Sequence, residues 1–349
     1  CFRYVMDAPI RYFFTVVSAK YAVKRDVWKS RDGRKVSLEV YHHPTHTWNV
    51  DRMIQGMKDT LAYCEESFTP FQYRQMRILE FPAYATFAQS FPNTVPFSEG
   101  IGFVLKNDPD PRAISTAYYV TAHEVAHQWW AHQVVGADAA GSEMLSESLA
   151  DYTAQRIATR SLPPAGVRRA AQQNLDRYLR GRGADRLGEN PLARVQHQDY
   201  IHYSKGSLVL GALAGRVGEK ALNGAIAAFA RTHAFGAAPY PTGEDFVAHL
   251  ETTFPAQKAW IGSQFRRIAL VDFRIVDAKK TRQADGRWKV EATVALESRE
   301  SNSGGNETAA AFSDTVSVWL ADRGDRRGFT GKVLSEANAS MVPGENKLV

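Results

Sequence analysis

Two histidines and two glutamates have the spacing of a metal-dependent catalytic site. His123 and His127 are four residues apart, so on a helix both imidazoles project from one face and can reach the same metal ion. Glu124 lies near that metal without having to bind it, and Glu147 can supply a third ligand from a second helix. Three protein ligands leave the fourth position of Zn2+ open for water, whose pKa the metal lowers to about 7. The spacing therefore predicts a zinc site at which Glu124 acts as general base.

The surroundings favour a metal site over a chance occurrence of the pattern, although such histidine pairs do arise by chance on exposed helices. An apolar stripe indicates that this helix packs against a core. The stripe consists of Tyr118, Ala122, Val125, Ala126 and Trp129. Asp151 follows Glu147 by one helical turn, where its carboxylate can accept the second N–H of a zinc-bound histidine. We expect His123, His127 and Glu147 as zinc ligands, with Asp151 supporting one of them.

Two further motifs narrow the interpretation. Tyr203-Ser204-Lys205-Gly206 lies downstream of the histidines, and Pro96-Phe97-Ser98-Glu99-Gly100 lies upstream. Together with the histidine pair and the distant glutamate, they resemble the gluzincin metallopeptidases, and in particular the aminopeptidase N-like branch. The resemblance implies that Tyr203 hydrogen-bonds the oxyanion of the tetrahedral intermediate and that Glu99 binds the free α-amine of the substrate. It also implies a thermolysin-like catalytic domain, a Zn2+ cofactor and peptide substrates with a free N-terminus.

The sequence departs from that branch at three points. The interval between the second histidine and the third ligand is one residue longer than usual, which an insertion in the loop Gly136–Ser142 would absorb. Ser148 stands where the family usually has glycine, and Glu99 alone remains of the family's Gly-x-Met-Glu-Asn strand. Because that strand limits cleavage to the first peptide bond, an endopeptidase is one alternative. A non-catalytic regulatory module with a structural zinc is another, although it would need neither a base nor an oxyanion donor.

Two stretches, Thr94–Phe103 and His123–Tyr152, are more specifically similar to a bacterial subgroup. In that subgroup a peptidase domain of this kind is fused behind the membrane-spanning permease part of an ABC-type transporter. The similarity implies that the chain is the soluble part of a transporter permease polypeptide in the bacterial inner membrane. The chain starts at Cys1 without Met and stops in a β-like stretch at Val349, which favours a fragment of a larger protein. The sequence itself has no apolar run of about 18 residues that would span a bilayer.

The composition is that of an ordinary globular protein. Of the 349 residues 44% are hydrophobic, and the formal net charge is +6. Basic residues are scattered and form no aromatic-interleaved stripe, so no nucleic-acid partner is expected. The two cysteines, Cys1 and Cys64, say little about the redox compartment. Cys64 continues the apolar face of a predicted helix, so we expect a buried free thiol.

The order of periodic segments predicts an α+β protein in three parts. Residues 1–45 form a short β module, residues 46–265 form the thermolysin-like catalytic domain, and residues 266–349 form a truncated β-sandwich. The catalytic domain is expected to be mostly helical from residue 112. Predicted helices cover 49–67, 112–135, 142–160, 165–180, 204–216, 219–234 and 244–253.

Predicted strands complete this organisation. We expect strands at Arg11–Lys24, Gln75–Glu80 and Val95–Val104, of which the last carries Glu99 on an exposed edge that a peptide can pair with. In the third part, the Asp285-Gly286 dipeptide predicts a hairpin. Further along, 298–306 is expected as a disordered loop and 315–320 as a strand.

Overall fold

A computed structural model describes residues 3, 5–325, 328–329 and 332–349 of the chain. A four-stranded sheet lies near its start. Its strands, in order across the sheet, are β1 (Ala22–Lys29), β2 (Lys35–His42), β3 (Gln75–Phe81) and β4 (Thr94–Ser98). β1 is antiparallel to β2, whereas β2, β3 and β4 are parallel. A parallel β2–β3 pair needs a crossover, and helix α1 (Val50–Ser67) provides it. β1 and β2, assigned from sequence to a separate module, thus share one sheet with β3 and β4.

The predicted strand Arg11–Lys24 is wrong for most of its length, because only its last three residues belong to β1. A strand needs a partner for its backbone hydrogen bonds, and β2 pairs with β1 only from Ala22 onward. Residues 11–21 therefore have no regular structure, and several of their large side chains, including Tyr12 and Val16, are exposed.

The free side of β4 is covered by part of the connection between β3 and β4. Residues 87–91 run antiparallel to β4, and Gln89 N–H and Phe87 C=O form hydrogen bonds of 3.1 and 3.0 Å with its backbone. β4 ends at Ser98, because the next residues turn back. The predicted strand Val95–Val104 is thus correct only in its first half, and its predicted exposed edge is wrong. Residues 87–91 form the edge instead.

A helical layer follows the sheet. Its α-helices are α2 (Thr116–Ala126), α3 (Leu149–Thr159), α4 (Pro164–Ala184), α5 (Gly206–Val217), α6 (Glu219–His233), α7 (Gly243–Thr253) and α8 (Lys258–Arg266). Two π-helical turns, Met144–Ser148 and Tyr200–Lys205, run directly into α3 and α5. Short 3-10 turns lie at Leu192–Arg194 and Pro255–Gln257. The predicted helices are confirmed in position, whereas α8 was not predicted.

Helix α2 is shorter than the predicted 112–135. It begins after Ser115, whose backbone is extended. Beyond its last residue the backbone tightens, since the N–H groups of Gln128 and Trp129 bond to carbonyls three residues back. Ala131 then takes a φ of 129°, which no helix tolerates. α2 therefore ends at Ala126, and His127 is its C-cap residue.

One continuous hydrophobic core joins the sheet to the helices. α1 lies between the sheet and α2, and Gly56 allows the close approach, because a Cβ there would lie 3.0 Å from a methyl carbon of Thr121. α3 packs on α2 and on α5. Cys64 is buried here as a free thiol, as predicted, whereas Cys1 lies outside the described residues. Burying a side chain such as Leu149 contributes roughly 1.5–3 kcal/mol.

The C-terminal part of the described chain is built of strands. They are β5 (Ile268–Arg282), β6 (Trp288–Ser301), β7 (Glu307–Ala309), β8 (Asp314–Ala321), β9 (Gly324–Asp325), β10 (Gly328–Phe329), β11 (Val333–Met341) and β12 (Gly344–Leu348). One sheet has the order β12-β6-β5 with β7 beside β6, and β8 pairs with β11. The Asp285-Gly286 hairpin and the 315–320 strand are confirmed. The expected disordered loop at 298–306 is wrong, because a tight turn there joins paired β6 and β7.

No helix formed by the described residues combines the length and the apolarity that a membrane crossing requires.

Candidate active site

Three side-chain atoms on two neighbouring helical segments meet at one point. His123 Nε2 lies 3.1 Å from His127 Nε2 and 3.2 Å from Glu147 Oε2, and His127 Nε2 lies 3.3 Å from the same carboxylate oxygen. His123 and His127 come from the last turn of α2, and Glu147 from the π-helical turn before α3. The structure thus brings together the three residues predicted as metal ligands.

These three atoms fit a zinc ion. Ligands about 2.0–2.1 Å from zinc in a tetrahedral site lie roughly 3.3 Å from each other, close to the separations here. His127 Nδ1–H donates to the carbonyl of Trp130 at 2.9 Å, so a neutral His127 has its lone pair on Nε2, facing the other two ligand atoms. Three electron-rich atoms this close together repel each other unless a cation lies among them.

Burial and neighbouring charges shift the pKa values of the two glutamates in opposite directions. Burial opposes ionisation of Glu147, but the adjacent imidazoles outweigh it and hold the pKa of this carboxyl well below its usual range. For Glu124 the burial dominates and raises the pKa of its carboxyl, and the histidines offset this only in part. Glu147 is thus kept in the ionised form that a metal ligand requires, whereas Glu124 is a stronger proton acceptor than a carboxylate in water.

Asp151 lies beside His123, and its role as a hydrogen-bond acceptor for this histidine stays a prediction. Its Oδ1 is 3.6 Å from His123 Nδ1, which is buried and has no hydrogen bond within the described residues. Tyr119 donates its hydroxyl hydrogen to the same Oδ1 at 2.6 Å. Tyr119 therefore holds the Asp151 carboxylate near His123 Nδ1, on the side opposite the candidate ligand nitrogen.

Tyr203 lies on the second π-helical turn, with its ring centroid 5.6 Å from that of His123. Burial and the nearby Glu147 and Glu124 carboxylates raise the pKa of the phenol well above its usual value, so it remains a hydrogen-bond donor. Two residues later Lys205 is buried and paired with the buried carboxylate of Glu189. This ion pair anchors the turn that positions Tyr203.

The two π-helical turns pack directly on each other. The hydroxyl of Ser148 donates to the carbonyl of His202 at 2.6 Å, which satisfies a backbone acceptor inside the second turn. Gly206 makes the approach possible, because a Cβ there would lie 2.2 Å from the Ser148 hydroxyl oxygen. The turn carrying the third ligand and the turn carrying Tyr203 are therefore fixed relative to each other.

An open cavity of about 450 Å³ lies over the site. Its lining includes four of the predicted site residues, namely His123, Glu124, Asp151 and Tyr203. It also includes residues for which no motif predicted a role, among them the four residues Phe87, Ala88, Arg177 and Asp199. These four come from the covering segment beside β4, from α4 and from the loop before the second π-helical turn, and no short motif connects them to the histidines.

Glu99 does not line this cavity within the described residues. It follows the last residue of β4, and its carboxylate accepts the backbone N–H of Ala83 at 3.0 Å and lies 3.7 Å from His46. The buried Glu80 carboxylate is the closer partner of His46. The structure therefore groups Glu99 with His46 and Glu80 instead of with the zinc ligands.

The fold and the site define a mixed α/β protein with a candidate zinc centre on two packed helical segments. The profile of the peptidase family M1 domain matches residues 52–266. The chain belongs to peptidase family M1, a family of zinc metallopeptidases. The predicted resemblance to aminopeptidase N-like gluzincins and the Zn2+ cofactor are confirmed.

Two solved structures have a similar fold. Aminopeptidase A of Legionella pneumophila, in complex with aspartic acid, is 16% identical over 94% of this chain and 35% of its own, with a TM-score of 0.61. The M1 zinc metallopeptidase of Deinococcus radiodurans is 17% identical over 70% of this chain and 52% of its own, with a TM-score of 0.51. The chain thus spans about a third and about half of these proteins. A comparison with curated protein sequences found no match. The predicted membership of a membrane-embedded transporter finds no support in these comparisons and stays a prediction.

Proposed function

We propose that this chain is the catalytic part of a zinc aminopeptidase, which removes residues from the N-termini of peptides. The convergence of three metal-binding atoms with Glu124 and Tyr203 at one cavity carries the proposal. Bound zinc would act as a Lewis acid on the scissile carbonyl and would lower the pKa of a neighbouring water molecule. A zinc that served structure alone would require neither a buried carboxylate base nor a half-buried phenol beside it.

The protein's own groups perform the proton transfers. Glu124 takes a proton from water while the water oxygen bonds to the carbonyl carbon of the substrate. It returns that proton to the leaving nitrogen as the carbon–nitrogen bond breaks, so its carboxylate is regenerated. Tyr203 donates its hydroxyl hydrogen to the carbonyl oxygen as negative charge develops there, which stabilises the transition state.

The covering segment beside β4 offers an edge for the peptide backbone. Because Gln89 N–H and Phe87 C=O both point toward β4, the N–H and C=O of Ala88, between them, point to the other side. Ala88 lines the cavity, and its backbone groups have no hydrogen bond within the described residues. An extended substrate can pair with this edge as an added strand, with its scissile bond held near Glu124.

The free α-amine of the substrate requires a carboxylate. We propose Glu99 for this role from the family motif. Because Glu99 is not among the described residues that line the cavity, two alternatives remain: another carboxylate binds the amine, or the enzyme does not bind the amine at all. Asp199 lines the cavity and is 88% exposed, so a peptide amine can reach it directly. A specific endopeptidase is the second candidate function, because it would need no amine-binding carboxylate in the cavity at all.

A library of peptides, half of it N-acetylated, tests these functions with zinc-loaded protein. Cleavage of free-amine peptides alone, lost in Glu124→Gln by at least about a thousandfold in kcat, is the expected result. The variant should retain its zinc content and its unfolding temperature, since no ligand is altered. Cleavage of acetylated peptides as well would assign the endopeptidase function. No cleavage by zinc-loaded protein would refute both.

A further inference from the structure

Arg177 is placed where two cavities join. It lies on α4 and lines both the 450 Å³ cavity over the zinc ligands and a second cavity of about 550 Å³ that extends along the same helix. Tyr119 and Val120 also line both cavities, so the two form one cleft with these three residues at its centre. A peptide that enters the first cavity and continues into the second passes Arg177.

The charge of Arg177 is available to a ligand. Within the described residues its guanidinium makes no hydrogen bond or ion pair, and its side chain is exposed. Other arginines of the same helix are engaged, since Arg169 pairs with Asp108 and Asp110, and Arg182 pairs with Glu189. Arg177 is also the only Lys or Arg among the described residues that line the first cavity.

Arg177 is also close to the reaction centre. It lines the same two cavities as Tyr119, whose hydroxyl bonds to Asp151, and Asp151 lies 3.6 Å from His123 in the cluster of metal-binding atoms. Phe87 and Val120 supply apolar surface to the same cavity.

We propose that Arg177 binds a carboxylate of the peptide substrate and so makes the enzyme selective for peptides that place a carboxylate just beyond the scissile bond. The planar guanidinium offers paired N–H donors that match the two oxygens of a carboxylate. Two groups have this chemistry, the C-terminal α-carboxylate of a short peptide and the side chain of Asp or Glu. The inference rests on the proposed peptidase function, because it concerns the substrate of the same site.

Three tripeptides distinguish the sources of the carboxylate. Leu-Ala-Ala with a free C-terminus has the α-carboxylate, its C-terminal amide has none, and Leu-Ala-Asp amide has a side-chain carboxylate only. The wild-type enzyme is expected to show a KM about tenfold lower for at least one carboxylate peptide than for the neutral amide, the size of one charge-assisted contact. The peptide that benefits identifies the source, and a benefit for both assigns a carboxylate of either origin.

Arg177→Gln should raise KM for the favoured peptide about tenfold, leave kcat unchanged and have no effect on the neutral amide. Arg177→Lys should restore part of the difference, because it keeps the charge but not the paired donors. Arg168→Gln is the matched control, since Arg168 lies on the same helix and is not among the described residues that line either cavity. It should behave as wild type. Equal KM values for all three peptides in the wild type, or an unchanged preference in Arg177→Gln, would overturn the proposal.

Binding measurements separate this inference from the proposed function. If zinc-loaded protein cleaves none of the peptides, the peptidase function fails, and the same three peptides are then titrated into it by calorimetry. Carboxylate-dependent binding that Arg177→Gln abolishes would still support the inference. Equal affinity for the peptides with and without a carboxylate, or no binding of any of them, would overturn it.

Discussion

The helical region around the candidate zinc site and the C-terminal β region bury different kinds of groups. The helical region holds four charged side chains that are less than a tenth exposed, namely Glu124, Asp151, Glu189 and Lys205. Among the described residues of the C-terminal region, the buried apolar side chains are Ile268, Val294, Leu296 and Met341. Apolar side chains on β5, such as Ile275 at 69% exposed, stay in contact with water.

This difference shows that apolar side chains are enough to form a fold, whereas a catalytic site also needs buried charged groups. Moving a charged group out of water costs several kcal/mol unless a partner compensates it, so buried charges persist mainly where they are paired or used. Alternating apolar residues are enough to form the C-terminal strands. The helical region, by contrast, gives up stability to hold its charges at fixed positions around the ligands.

Removing the Tyr203 hydroxyl tests whether the helical region forms the catalytic site, and it has the largest expected effect of the changes below. Tyr203→Phe should lower kcat by about 10²–10³-fold, the usual loss of an oxyanion donor, while KM changes little. The ring stays in place, so zinc content and unfolding temperature should remain those of the wild type. Steady-state kinetics on a free-amine peptide provide the measurement, and a kcat within threefold of wild type would refute the role of Tyr203.

The clustering of the three candidate zinc ligands could be predicted from the sequence because their geometry is local. A spacing of four residues places His123 and His127 on one face of any helix, and Glu147 needed only a second helix nearby. The cavity lining could not be predicted, since Ala88 and Arg177 approach the histidines through the packing of segments far apart in sequence. Glu99 illustrates the same limit, because a short motif did not reveal which strand edge faces the cavity.

The buried His132 makes the helical region sensitive to acid. Burial, with a smaller contribution from the charge of His127, lowers the pKa of His132 from 6.5 to about 4. Between these values the unfolded chain binds more protons than the folded one, so the free energy of unfolding falls as the pH falls from 6.5 to 4. The contribution is complete above pH 6.5, and about 3 kcal/mol is lost by pH 4.

Urea unfolding of metal-free protein at pH 7 and pH 4.5 measures this loss. His132→Gln keeps a donor for the Ser90 carbonyl that His132 Nε2 contacts at 3.3 Å, and it removes the titration. The variant should lose about 2–3 kcal/mol less than wild type between the two pH values. Parallel losses in both proteins would mean that other groups control the acid sensitivity.

The contact between the two π-helical turns should tolerate no added atom. Gly206→Ala places a methyl group against Ser148, which should cost about 1–3 kcal/mol of unfolding free energy and move Tyr203 relative to Glu147. We expect kcat and zinc affinity to fall together. The double variant Ser148→Gly/Gly206→Ala removes the obstructing hydroxymethyl group and should recover part of both. If the single variant is as stable and active as wild type, the turns are not held as tightly as this contact indicates.

The smallest effect is expected where the two regions meet. Arg182 on α4 bonds to Glu307 of β7 at 3.0 Å, and it also bonds to Glu189, which holds Lys205 in the turn that carries Tyr203. Because both partners in the first pair are about a quarter exposed, Glu307→Gln should cost less than about 1 kcal/mol. Glu189 keeps Arg182 and Lys205 in place, so kcat should stay within twofold of wild type. Glu297→Gln, which breaks an ion pair inside the β region only, is the matched control. A severalfold loss of kcat in Glu307→Gln but not in Glu297→Gln would show that the β region helps to position Tyr203. The view that the helical region alone determines catalysis would then be wrong.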